Sequence, residues 1–286
     1  MPIMPDTKSP HESNRAFYDR ISEAYDLIAD ANERAARLVG IRELALKPGE
    51  TVLEVGFGTG NEILDLAAAA GPEGKVHGID ISPGMLAVAQ RKIAKARPAA
   101  AVELRVADAR ELPYGDESFD AVYSSFTLEL FPPEEIELPL REIARILRPG
   151  GRFGNVSMAK VKPGQHASTL EEIYIWMHRN FPHIVDCRPI DAPARLAEAG
   201  FEIAKCIDLE IWTMPVSAIL AVKPAGWTSS SSGKLRSESD AHLHIQPGTF
   251  HARGENVVCG LHGGGYPGFH GSTDAGYPGA DHPVPE

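Results

Sequence analysis

Apolar and polar positions along this chain follow two periods that take turns. Short apolar runs of strand length, TVLEV (51–55), KVHGIDI (75–81), AVELRVADA (101–109) and SFDAVYSSF (118–126), are bounded by glycine, proline and charge. Between them, NEILDLAAAA (61–70) and PGMLAVAQRKIAKA (83–96) carry the 3.6-residue spacing of amphipathic helices. PEEIELPLREIARIL (133–147) reads as a further helix despite Pro139, and GGRFGNVSM (150–158) as the next strand. Strands alternating with helices at this spacing imply right-handed crossovers and an α/β fold with a doubly wound, parallel sheet.

The pattern differs on either side of this core. Upstream, in residues 15–46, Phe17, Ile21, Tyr25 and Ile28 share one helical face. Downstream, ASTLEEIYIWMHRNF (167–181) reads as a helix with a capping box, Thr169 three residues before Glu172. DAPARLAEAGF (191–201) reads as a short helix with Asp191 as N-cap and Gly200 as its stop. FEIAKCIDLEIW (201–212) and VSAILAVKP (216–224) are two strands with too short a link for anything but an antiparallel pair. The sheet is therefore expected to close with a reversed strand. From residue 225 the chain turns rich in Gly, Ser, Pro and His, repeats GYPG at 265–268 and 276–279, and shows no apolar stripe. Such composition does not bury enough surface to offset its ordering entropy. The expected organisation is a flexible N-terminus (1–14), one domain (15–224) and a disordered tail (225–286).

Composition narrows the function. The 286 residues are 43% hydrophobic and 23% charged, with a formal net charge of −11. So acidic a chain has no electrostatic case for gripping a nucleic-acid backbone or docking on anionic lipid. Cys187, Cys206 and Cys259 are scattered, and no Cys/His spacing suits a zinc site, the six tail histidines included. No signal peptide or apolar run of membrane-spanning length is evident. The expectation is a soluble cytoplasmic protein without stable membrane insertion or a bound metal; oligomeric state leaves no mark in the sequence.

The chemistry gathers at strand ends. Gly56, Gly58 and Gly60 follow the first core strand as G-x-G-x-G, not the G-x-G-x-x-G of a dinucleotide fold, and Glu54 stands two residues before them. An acid so near disfavours a phosphate and suits a ligand bearing cationic groups. Asp80 ends the next strand, where a carboxylate can accept both hydroxyls of a ribose; it is also a candidate N-cap for the helix after it, a role open equally to Ser82. Asp108 follows the third strand, placed to accept from an adenine amine or to pair with Arg105 or Arg110. Ser124 and Ser125 end the fourth. All four features fall at carboxyl ends of consecutive strands, where open α/β sheets bind ligands.

With these residues in hand, the chain from about 15 to 224 resembles the class I S-adenosylmethionine-dependent methyltransferases. LEVGFGTG (53–60), GIDISPGMLAVA (78–89), VADARELPYGDESFDAVYSSF (106–126) and ILRPGGRF (146–153) appear in the family's order. Within it the chain is similar to the ubiquinone/menaquinone-biosynthesis type and its phospholipid N-methylating relatives, through FYDRISEAYDLI (17–28) and REIARILRPGG (141–151). The resemblance implies a seven-stranded, mostly parallel sheet with a reversed last strand, S-adenosyl-L-methionine as cofactor, a helical lid at 15–46 and a substrate-side insertion at 159–200. It further implies that Gly56, Gly58 and Gly60 face the methionine moiety, with Glu54 near its ammonium by way of water or main chain and Thr59 at its carboxylate. Asp80 would hold the ribose, Ile81 and Met85 flank the nucleoside, and Asp108 and Ala109 bracket the adenine. Ser125 would close the pocket and Tyr25 cover it.

The implied acceptor is a small hydrophobic or aromatic molecule of quinone-precursor type. The alternatives are phospholipid N-methylation and a non-catalytic nucleoside-binding protein of the same fold. His178 and His183 are the candidate bases where the acceptor must lose a proton. The chain departs from the quinone enzymes after Tyr25–Asp26, where they continue Met-Asn, and on the fifth strand, where their Glu-x-Ser is replaced by Ser157, Met158 and Ala159.

Overall fold

The computed structural model of the chain describes residues 30–160, 188–211 and 213–227. A helix, α1 (Asp30–Leu44), leads into β1 (Thr51–Val55), α2 (Asn61–Ala70), β2 (Lys75–Asp80), α3 (Pro83–Ala96), β3 (Ala101–Val106) and β4 (Phe119–Ser125). A 3-10 turn (Leu128–Leu130) precedes α4 (Glu137–Ile146) and β5 (Leu147–Met158), then α5 (Ala192–Glu198), β6 (Glu202–Ile211) and β7 (Met214–Val222). The strands form one sheet in the order β3-β2-β1-β4-β5-β7-β6. Pairs β3-β2, β2-β1, β1-β4 and β4-β5 are parallel, and β7 runs antiparallel to both β5 and β6. The reversed strand expected from the short β6–β7 link is β7, and the link turns on Thr213 at φ +70°.

Side-chain alternation explains how the sheet buries two faces. On one, Val52, Tyr123 and Val156 pack with Leu44 of α1 and with Ile63 and Leu66 of α2. On the other, Leu53, Val122 and Phe153 pack with Ile143 of α4 and Leu196 of α5. The sheet ends differ. Central β1 is buried almost throughout, whereas edge strand β3 is mostly exposed to solvent.

α1 approaches the sheet closely because Gly40 carries no side chain: a Cβ there would stand 2.4 Å from Val156 Cγ2. Tyr123 Oη fixes the same contact by donating to the Arg37 carbonyl at 2.9 Å. α4 begins at Glu137 rather than at residue 133, which puts Pro139 in the first turn, where a helical N–H has no partner within the helix. Asp191 caps α5, accepting from the Ala194 N–H at 3.2 Å, and Gly200 ends that segment at φ +89°.

Beyond β7 the chain stays packed to Trp227, three residues past the end expected at 224. Its indole N–H donates to the Ala199 carbonyl at 3.1 Å, and Lys223 Nζ sits 5.0 Å from its ring centroid. Among the described residues no helix is long and apolar enough to cross a membrane.

Candidate functional site

Strand order reverses at β1: β2 and β3 lie to one side, β4 and β5 to the other. The carboxyl ends of β1 and β4 therefore splay at a topological switch point, where doubly wound sheets form crevices. The chain leaving β1 turns at Gly56, Gly58 and Gly60, with φ of +78°, +52° and +81°, a region L side chains avoid. A Cβ on Gly56 would stand 2.3 Å from Thr127 Oγ1, and one on Gly60 2.8 Å from Ala89 Cβ. Those two glycines let the corner pack against the β4 loop and α3. A Cβ on Gly58 would meet nothing within 4 Å.

The corner is held by the strand beside it. The N–H groups of Gly56 and Phe57 donate to the Ile79 carbonyl at 2.8 and 3.2 Å. Gly58 N–H donates to Asp80 Oδ2 and Ser82 N–H to Asp80 Oδ1, each at 2.9 Å. The capping role open to either residue falls to Ser82, whose Oγ accepts from the Met85 N–H at 3.0 Å. From α3, Lys92 Nζ donates to Thr59 Oγ1 at 3.0 Å and to Asn61 Oδ1 at 2.7 Å, tying the far side of the loop.

Over this corner opens a cavity of about 950 Å³, its mouth included. Gly56, Gly58, Thr59, Asp80 and Ile81 line it on the β1–β2 side. Met85, Asp108, Ala109 and Ser125 complete the set of sequence-expected residues on its wall. Gly60 lies behind the wall, and Tyr25, His178 and His183 lie outside the described residues. Asp108 reaches the cavity as half of an ion pair: Arg110 Nη2 donates to its Oδ2 at 2.6 Å, and Arg110 Nη1 reaches Glu135 at 2.8 Å. The pairing weighed for Asp108 is thus present, with Arg110, while Arg105 turns to Glu103.

Glu54 does not reach the cavity directly. It is fully buried on the α1–α2 side of the sheet, off the cavity wall, and neither carboxyl oxygen has a hydrogen-bond partner among the described residues. Burial, and next the neighbouring Glu62 carboxylate, push its pKa well above the usual carboxylate range, with Arg37 opposing. Glu54 is held toward its neutral form and does not present a charge to the cavity.

Charge does reach the wall, from residues the sequence did not single out. Arg37 of α1 and Glu62 of α2 both line the cavity and are 6% and 4% exposed. Arg37 Nη1 donates to Glu62 Oε1 at 3.1 Å, Nη2 donates to Glu33, and the guanidinium carbon lies 5.5 Å from the Phe126 ring centroid. No motif marks Arg37, and Glu62 reads as an ordinary acid in the first turn of a helix. Phe126 follows β4 at φ +49°, a left-handed turn that is unusual for a bulky side chain. With Leu130 and Phe131 it gives the cavity an apolar side.

Comparison with known proteins adds to this geometry. Residues 52–151 match the family model described as a methyltransferase domain. A demethylmenaquinone methyltransferase of Symbiobacterium thermophilum is 36% identical over 152 residues, which take in 51% of this chain and 60% of that protein. The chain thus spans about three-fifths of the length of this curated relative. Among solved structures, the [4+2]-cyclase SpnF superposes with a TM-score of 0.60 at 21% identity, covering 79% of this chain and all of that one. A S-adenosylmethionine-dependent methyltransferase from Aquifex aeolicus superposes with a TM-score of 0.51 at 20% identity, covering 76% of this chain and 99% of the other. At those identities the likeness speaks for the fold alone.

Proposed function

We propose, since residues 52–151 match a methyltransferase-domain model, that this chain is a class I methyltransferase that transfers a methyl group from S-adenosyl-L-methionine to a small hydrophobic or aromatic molecule. The observation that carries this reading is a single cavity that gathers the tips of β1 to β4. It is bounded by a glycine corner, a carboxylate fixed by two backbone N–H groups, and a buried ionic end.

The residues present fit this ligand. Asp80, already oriented by Gly58 and Ser82, would receive the ribose hydroxyls. Asp108 and the Ala109 N–H would meet the adenine edge, with Ile81 and Met85 against the rings. The open space over Gly58 admits the methionine chain close to backbone. When bound, S-adenosylmethionine supplies a methyl group activated by a positively charged sulfur. Displacement at such a carbon needs alignment and a dry site more than a protein nucleophile. Phe126, Leu130 and Phe131 supply the water-excluding side, next to Ser125 at the end of β4. Among the described residues the wall carries no histidine, cysteine or tyrosine, in keeping with a site that works by positioning.

The quinone-precursor type of acceptor is supported by the curated relative and by the apolar wall. Incubation with radiolabelled methyl donor and a reduced naphthoquinone lacking the ring methyl tests it. Label in the quinone supports that substrate, and label only in another lipid-extractable compound redirects it.

A second reading is binding without methyl transfer. It is favoured by the likeness to a structure described as a cyclase, which shows this fold hosting other chemistry. Binding of the donor with no labelled product from a complete metabolite extract selects this second reading.

A further inference from the structure

Strand β5 outruns its neighbour β4. Their last parallel pair joins Val156 to Ser125, and β5 continues to Met158. The chain leaving β4 adds one more ladder bond, from the Phe126 N–H to the Val156 carbonyl at 2.8 Å, and then turns off at φ +49°. Met158 is buried, so its N–H and carbonyl on that side need other partners. Two replacements meet them. The Ile190 N–H donates to the Met158 carbonyl at 3.0 Å, and Glu129 Oε1 accepts from the Met158 N–H at 3.0 Å.

We propose that Glu129 is a positioning residue for the methyl acceptor: by tying the 3-10 turn to the tip of β5, it sets where Leu130 and Phe131 stand on the cavity wall. This rests on the function proposed above and assigns a residue within it. Three observations carry it. Glu129 is fully buried and reaches β5, while Leu130 and Phe131, next in the chain, line the cavity. The turn is short and internally bonded, the Leu130 N–H donating to the Thr127 carbonyl at 3.1 Å and the Phe131 N–H to the Leu128 carbonyl at 3.3 Å. A shift at Glu129 is therefore passed to both apolar side chains. Glu129 also stands on the β4–β5 side of the switch point, whereas the glycine corner, Asp80 and Asp108 belong to the tips of β1, β2 and β3. Its effect should fall on the acceptor and spare the cofactor.

The link depends on reach and on an acceptor oxygen. A carboxamide of the same length can accept the same hydrogen bond, and a methyl group cannot. Glutamine and alanine at this position therefore separate the hydrogen bond from the charge.

The full chain and its Glu129→Ala and Glu129→Gln variants are titrated calorimetrically with S-adenosylhomocysteine. Once saturated with it, each is titrated under nitrogen with the reduced naphthoquinone lacking the ring methyl. Glu129→Ala is expected to weaken the naphthoquinone at least about tenfold and to leave S-adenosylhomocysteine within about threefold. Glu129→Gln is expected to hold both within about threefold of wild type. Equal weakening of both ligands in Glu129→Ala reports a merely structural role and overturns the inference, as does unchanged naphthoquinone affinity. A loss in Glu129→Gln as large as in Glu129→Ala overturns it too, because the hydrogen bond would not be what matters. A wild-type chain that binds S-adenosylhomocysteine but not the naphthoquinone overturns the inference and leaves the cofactor reading standing. If neither ligand binds the wild-type chain, the proposed function itself fails.

Discussion

Asp80 Oδ2 accepts a hydrogen bond from the Gly58 N–H at 2.9 Å, so the carboxylate that ends β2 holds the loop that leaves β1. One side chain thus shapes the corner and faces the cavity. Asp80→Ala is expected to lose about 2 kcal/mol of stability, because two backbone donors forfeit a charged acceptor. It should also weaken S-adenosylhomocysteine by at least about tenfold. Urea unfolding and calorimetry check the two halves, and unchanged affinity contradicts the ribose assignment.

Two of the corner glycines, Gly58 and Gly60, are expected to separate by stability. Gly58→Ala carries only the left-handed strain, about 1–2 kcal/mol, since its Cβ meets nothing within 4 Å. Gly60→Ala adds a 2.8 Å approach to Ala89 Cβ on a helix, so it should cost more. Denaturant midpoints of the two variants give the order, and equal midpoints contradict it.

Glu54 predicts a pH dependence. Its folded pKa is raised by burial and by Glu62, Asp80 and Asp65, with Arg37 opposing. The folded chain therefore keeps a proton that the unfolded chain releases near the ordinary carboxylate value of 4.5. Where the folded state binds more protons, stability falls as pH rises. The contribution of Glu54 is thus full below that value and is lost upward through the raised folded pKa. Glu54→Gln removes this titration and should gain on wild type by up to about 1.4 kcal/mol per pH unit within the window. Unfolding measured from about pH 4 to about pH 8 checks it; a difference that does not change with pH contradicts it.

Trp227, the last described residue, is packed against the domain. Lys223, 3% exposed, donates to the Leu147 carbonyl at 2.7 Å beneath the indole. Truncation after residue 227 is expected to leave the melting temperature nearly unchanged. Truncation after residue 224 should cost about 2 kcal/mol, from the lost indole contacts and the uncovered ammonium. Equal melting temperatures for the two truncations contradict this.

The sheet was legible because its strands are short and apolar and its crossovers have one allowed hand, so TVLEV, KVHGID and FDAVYSS sit where the alternation put them. The glycine corner, Asp80 and Asp108 were legible because they follow strands directly, and strand ends share an edge. Arg37 and Glu62 were not. Their meeting depends on how closely α1 approaches the sheet, which Gly40 and Tyr123 settle in three dimensions and no local pattern records. The burial of Glu54 was not legible for a related reason. Its nearness to the glycines in sequence is real, but strand alternation turns its side chain under the corner, into a place where burial favours the proton over the charge.

The most direct measurement is calorimetric titration of the purified full chain with S-adenosylmethionine and S-adenosylhomocysteine. Saturable one-to-one binding of both is expected, competitive with each other and weakened together by at least about tenfold in Asp80→Ala. Absence of any binding heat at several temperatures, with the chain folded, contradicts it.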